Sequence, residues 1–174
     1  MREEVTSVAD RLRAQEAAYA HGHDRPIGSY AVLLGVYSTA VTGLGLLVRK
    51  RRALPPKVDP YDLALVAVAS HKLSRLVTKD SVTAAVRAPF TEYESPAGEG
   101  EVHERVRGHG LRHAVGELVS CPFCMSMWVA TGFVFGLALA PRATRLAAAT
   151  LTAVTASDYL QFAHSALQRA EHEG

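Results

Sequence analysis

The densest chemistry in the chain is Cys-Pro-Phe-Cys at residues 121 to 124. Ser120 or Cys121 is placed to cap a helix whose first residue is Pro122, where the missing N–H is harmless. The positive end of such a helix favours a thiolate at Cys121 and activates it for exchange, as dithiol oxidoreductases require. Cys121 and Cys124 are therefore catalytic candidates if the motif is redox-active. Two features oppose this: no βαβ pattern surrounds the motif, and the chain has only two cysteines, so a substrate dithiol or an external partner must complete any electron path. Zinc is the rival use, with Cys121 and Cys124 as two ligands and His103, His109 or His113 of the preceding segment completing a tetrahedral set. Structural thiols packed at a helix start, needing no cofactor, are the third reading, and the motif alone leaves all three open.

Other polar groups stand near the ends of apolar segments. His71, Lys72 and Arg75 close one segment, Glu117 precedes the cysteines, and Asp158 and Gln161 interrupt the last. A charge placed in hydrocarbon costs about 2.5–3.5 kcal/mol on insertion scales, so such groups face protein and pair. Arg75 is expected to pair with Asp158, with Glu117 as the competing partner. Snorkelling charges and a bridge that merely holds helices together are the plainer reading of the same residues. His71 reads as a hydrogen-bonding group rather than a base, and Trp128 as packing or an interfacial anchor.

The elements that must position these groups are apolar segments. Ser29 to Val48 runs twenty residues without a charge, about 30 Å as a helix at roughly 1.5 Å per residue, the thickness of a bilayer core. Gly35, Thr39 and Gly43 recur along it as a small-residue line, which allows close approach of another helix. Tyr61 to Val77 and Val119 to Ala140 are the second and third expected spans, the latter carrying a Gly132 and Gly136 pair; Ala143 to Ala166 is the fourth, modest in hydrophobicity. If spans two to four cross consecutively, the end of two, the start of three and the end of four share one side of the membrane. That side then collects the polar groups named above.

Between the first two spans lie Arg49, Lys50, Arg51, Arg52 and Lys57, with Pro55, Pro56 and Pro60 breaking any helix; the density of cations reads as cytoplasmic. Between spans two and three, Asp80 or Ser81 can cap a short helix whose Val82, Val86 and Phe90 share a face, as for an interfacial helix. Glu94 to Gly110 follows, rich in Gly, Pro and charge, and reads as a mobile polar loop. The expected organisation is a polar tail or short helix at 1–28, which holds His21 and His23, a span at 29–48, a basic loop at 49–59, a membrane domain at 60–166 and a tail at 167–174.

Composition removes several classes of function. Nineteen Lys and Arg stand against seventeen Asp and Glu in 174 residues, so no field attracts a polyanion and no nucleic-acid partner is expected. Two cysteines three apart cannot staple distant parts of the chain. No signal-peptide pattern and no GxSxG, HExxH, P-loop or dinucleotide signature occurs.

The strings SHKLSRLVTKDSVTAAVRAPF at 70–90 and GELVSCPFCMSMW at 116–128, with the helix that bears Asp158, resemble the uncharacterised bacterial family known as domain of unknown function 1360, which includes a sporulation-associated membrane protein. The resemblance covers about residues 60–166. It implies a small integral membrane protein marked by Arg75, Asp80, Arg87, Pro89, Phe90, Gly116, Glu117, Cys121, Cys124 and Trp128, and no established activity. This chain departs from the pattern by adding residues 1–58 and by Lys72, where an arginine-like or polar residue is expected.

The expectation is thus an all-α, four-span integral membrane bundle in the bacterial cytoplasmic membrane, with an interfacial helix and a polar loop between spans two and three. Its partners would be the lipid bilayer and a protein partner or second copy. The binding set would be His71, Lys72, Arg75, Asp80, Arg87, Glu117, Trp128 and Asp158, with Cys121, Cys124, His109 and His113 as metal candidates. The expected role is interaction or assembly in the cell envelope, with thiol-disulfide exchange and metal binding as alternatives. A soluble all-α protein is the reading in which the marginal segments, two and four, do not cross.

Overall fold

The computed structural model describes residues 10–11, 14–15, 18–20, 25–53 and 59–173. His21 and His23, most of the N-terminal tail, and Pro55, Pro56 and Lys57 of the basic loop lie outside the described residues.

Proline sets three helix starts. Helix α1 is Ile27–Lys50, α2 Pro60–Thr78, α3 Ala84–Arg87, α4 Leu111–Ser120, α5 Pro122–Leu139 and α6 Pro141–Glu173. In α2, α5 and α6 the first residue is proline, which needs no partner for an N–H it lacks and has a helical φ in advance. Asp59 caps α2, its Oδ1 accepting the Tyr61 N–H at 2.9 Å.

Two strands pair antiparallel between α3 and α4: β1 is Thr91–Gly98 and β2 Glu101–Val106. This corrects the all-α expectation and the mobile loop assigned to Glu94 to Gly110. The reason is legible afterwards. Val102, Glu104 and Val106 alternate with His103 and Arg105, which is strand period, and Glu99-Gly100 forms the turn with Gly100 at φ +76°. Pro96 lies beside a register shift in a two-stranded ladder, where its missing N–H is tolerated. The segment before the hairpin holds its tip: Val102 N donates to Lys79 O, and Ser81 N to Gly100 O, each at 2.9 Å. The expected interfacial helix is likewise reduced to a 3-10 turn, Ser81–Thr83, followed by the single turn of α3.

The four expected spans become two. Among the described residues, α1 and α5 are the helices long and apolar enough to cross a membrane. Helix α2 falls short because Asp62, His71, Lys72 and Arg75 interrupt it, and α6 because Arg142, Arg145, Asp158 and Arg169 punctuate an Ala/Thr-rich sequence. With two of the crossings gone, the polar ends of α2, α5 and α6 are no longer required to share one side of a membrane.

The chain divides into two compact units, residues 1–40 with 78–121, and 41–77 with 122–174. The first contains the hairpin with α3 and α4. The core of the second is small: Leu65, Val66 and Ala69 of α2, Phe133 of α5 and Ala148 of α6, flanked by Leu73, Val129, Leu137 and Leu151. Gly136 permits the close turn from α5 into α6, since a Cβ there would lie 2.7 Å from Thr144 Oγ1. A Cβ at Gly35, Gly43 or Gly132 would meet none of the described atoms within 4 Å.

Candidate functional site

In the first unit the ionic centre is Arg87, whose side chain is fully buried with Glu104 at 0% and 6% exposure. The last residue of α3 aims its guanidinium at β2, with Nε 2.6 Å and Nη2 3.2 Å from the two carboxylate oxygens. Nη1 donates to Thr83 Oγ1 and Nη2 also to the Asp80 carbonyl. The contacts to Glu104 join the short helical turns to the hairpin, and those to Thr83 and Asp80 brace the turns themselves. Such a buried, bidentate pair is structural in consequence: breaking it strands a charge, at roughly 3–5 kcal/mol.

Neighbouring residues extend the same fastening. Arg112 of α4 donates twice to the Pro89 carbonyl, at 2.9 and 2.6 Å. At Gly116 the helix comes so near the hairpin that a Cβ would lie 2.5 Å from Val106 Cγ1 and 2.9 Å from the Phe90 carbonyl oxygen. Only glycine fits that approach. Asp80, Arg87, Pro89, Phe90 and Gly116, five of the ten positions on which the family resemblance rests, thus build one small module.

Glu117, one residue further along α4, collects three partners. Arg25 Nη1 lies 2.7 Å from one carboxylate oxygen, Tyr30 O–H donates to the other at 2.5 Å, and His113 Nε2 is 3.5 Å away. The hydrogen bond to Tyr30 and the Glu117 charge raise the Arg25 pKa above its ordinary value. Glu117 therefore ties the entry to α1 to the hairpin module.

In the second unit Asp62 and Arg145 form a two-pronged pair, 2.7 and 2.6 Å. The guanidinium's hydrogen bonds hold the Asp62 carboxyl below the usual carboxylate range. Asp158, expected to meet Arg75, is held by Lys72 Nζ at 2.8 Å. Lys72 lies one helical turn before Arg75, and its ammonium reaches the helix that bears Asp158.

Arg75 lines a cavity of about 420 Å³ between α2 and the first turns of α5. Its polar lining is Ser70, His71, Ser74, Arg75 and Ser126; its apolar lining includes Ala67, Phe123, Met127 and Ala130. Ser74 Oγ donates to the Ser70 carbonyl, whereas Ser70 Oγ, in a residue 5% exposed, is the one buried side-chain polar atom lacking a hydrogen-bond partner among the described residues. An unsatisfied buried hydroxyl costs about 1–3 kcal/mol. Residue spacing alone missed Ser70, although Ser70 and Ser74 stand one turn apart within an apolar helix and signal a polar seam.

Cys121 occupies the break between α4 and α5 with extended backbone, φ −104° and ψ 109°, directly before Pro122. Cys121 is half-buried, Cys124 exposed, and both are thiols. Trp128 follows in α5, half-buried. Among the described residues no group of three His, Cys, Asp or Glu side chains converges as a metal site requires. His113 faces Glu117 and the Gly108 carbonyl, the latter 3.3 Å from Nδ1; His103 is exposed on β2.

Helix, hairpin module and exposed apolar rods together define a mostly helical protein with two candidate membrane segments. The chain belongs to the family described as "Protein of unknown function (DUF1360)", whose model matches residues 65–164. It is similar to Sporulation protein YjcA of Bacillus subtilis (strain 168), with 30% identity over 91 residues, covering 51% of this chain and 77% of that protein. No solved structure matches it.

Proposed function

We propose that this chain is a membrane-associated interaction or assembly subunit of the bacterial envelope, held in the cytoplasmic membrane by α1 and α5. The carrying observation is that the apolar windows of these two helices are only 6% buried in the folded chain. A core helix of a soluble protein hides such a surface; here Val32, Leu34, Val36 and Leu46 of α1 are all more than half exposed. Lipid or a partner must cover them, because exposed apolar surface costs about 25 cal/mol per Å². The basic run Arg49 to Arg52 at the end of α1 favours a cytoplasmic end there. Native electrophoresis of mildly solubilised membranes tests the assembly part: a discrete species well above the 18.7 kDa chain mass is expected, and a monomer under all mild conditions contradicts it.

Thiol-disulfide exchange is the second reading, favoured by Cys121 standing immediately before α5 and by the exposed Cys124. In it the motif's disulfide takes two electrons and two protons from a substrate dithiol, and an external acceptor reoxidises it. Replacing both cysteines by serine separates the readings. Assembly survives the change under the first, and a measurable thiol midpoint and exchange activity vanish under the second.

A further inference from the structure

We propose that the cavity between α2 and the start of α5 binds a phosphate-bearing headgroup, with Ser70 and Arg75 as its oxyanion donors. The inference rests on the membrane-associated reading above. Four observations converge. The Ser70 hydroxyl is buried, lines the cavity and lacks a partner among the described residues, so it holds an unused donor where solvent scarcely reaches. Arg75 lines the same space, and a guanidinium carries five N–H donors in a planar fork, enough to serve the protein and an oxyanion together. His71 and Ser126 add polar atoms, and α5 begins at Pro122, so the positive end of an eighteen-residue helix lies beside the cavity. Asp158, the acidic group opposite this end of α2, is already neutralised by Lys72.

The apolar lining selects among anions. Phe123 and Met127, 87% and 48% exposed, with Ala67 and Ala130 offer a surface to hydrocarbon rather than to water. The first turns of a span lie at headgroup depth, so a lipid phosphate is the favoured source, and free phosphate is the other source of the same chemistry. The cavity's 420 Å³ suits a headgroup-sized ligand.

The test uses the full chain in neutral maltoside micelles, where Trp128, the single tryptophan, reports binding from beside Met127. Dioctanoyl-phosphatidylglycerol should change its fluorescence saturably, and dioctanoylglycerol, which lacks the phosphate, should bind at least tenfold more weakly. Arg75→Gln should weaken the phospholipid at least tenfold and Ser70→Ala several-fold. Ser70→Ala removes an unpartnered hydroxyl, so its melting temperature without ligand should stay level or rise, which keeps lost binding distinct from lost folding. Inorganic phosphate binding as tightly as the phospholipid, with the same sensitivity to both variants, assigns the free ion as the source; tighter phospholipid binding assigns the headgroup. Equal binding of dioctanoylglycerol, or unchanged phospholipid binding in both variants, overturns the site. Because the assay runs in micelles, failure of the site leaves membrane retention intact, and failure of membrane retention leaves phosphate binding measurable.

Discussion

At the residue scale the chain spends its charges on pairs within each unit. Arg87 and Glu104 are nearly unexposed, so removing one partner leaves the other charge buried. Arg87→Leu should destabilise the hairpin unit by about 3–5 kcal/mol, and replacing both residues by apolar ones should cost much less. Limited proteolysis within residues 91–106 reads this; equal susceptibility of single and double variants would refute the pair's role. Asp62 gives a pH dependence. Its folded pKa lies below the unfolded value of about 3.9. The pair therefore stabilises fully above pH 4 to 5, and this stability is lost as pH falls through the lower, folded value. Thermal melts of Asp62→Asn should show a flatter acid limb than the parent between pH 5 and 3; parallel limbs would argue against it. The Lys72 and Asp158 pair shows what residue spacing withholds. The sequence marked both residues and the need for a partner, but the choice between Lys72 and Arg75 depends on how α2 is rotated about its axis.

At the element scale, helices were legible and the hairpin was not. Proline starts and charge-free runs announce α1 and α5 without tertiary information. The hairpin hid because Pro96 and three glycines, Gly98, Gly100 and Gly108, resemble loop punctuation, while the period-two pattern spans only Glu101 to Val106. Gly116 carries the element-level prediction. Its missing Cβ lets α4 meet Val106 and the Phe90 carbonyl, so Gly116→Ala should cost about 1–3 kcal/mol through overpacking. A second change, Val106→Ala, should recover part of that loss by removing the nearest atom. Denaturation midpoints of the single and double variants decide it, and simple additivity of the two losses would mean the contact is not the cause.

At the scale of the whole molecule, overall hydropathy misled less than its distribution. The mean is barely positive, yet it averages two exposed apolar rods with a hairpin unit dense in charge. The sequence overcounted spans because segments two and four are apolar enough to cover a core but carry Asp62, Lys72, Arg145 and Asp158, which fold against protein as ion pairs. The cavity beside α5 was invisible to sequence, since a serine's unmet hydrogen bond exists only once helices pack. What remains central is the proposal that lipid covers the apolar surface which α1 and α5 leave exposed. Alkaline carbonate extraction of membranes from cells expressing the full chain measures this most directly. The protein should stay in the membrane pellet and enter solution only with detergent; its recovery in the detergent-free supernatant as a folded species would contradict the account.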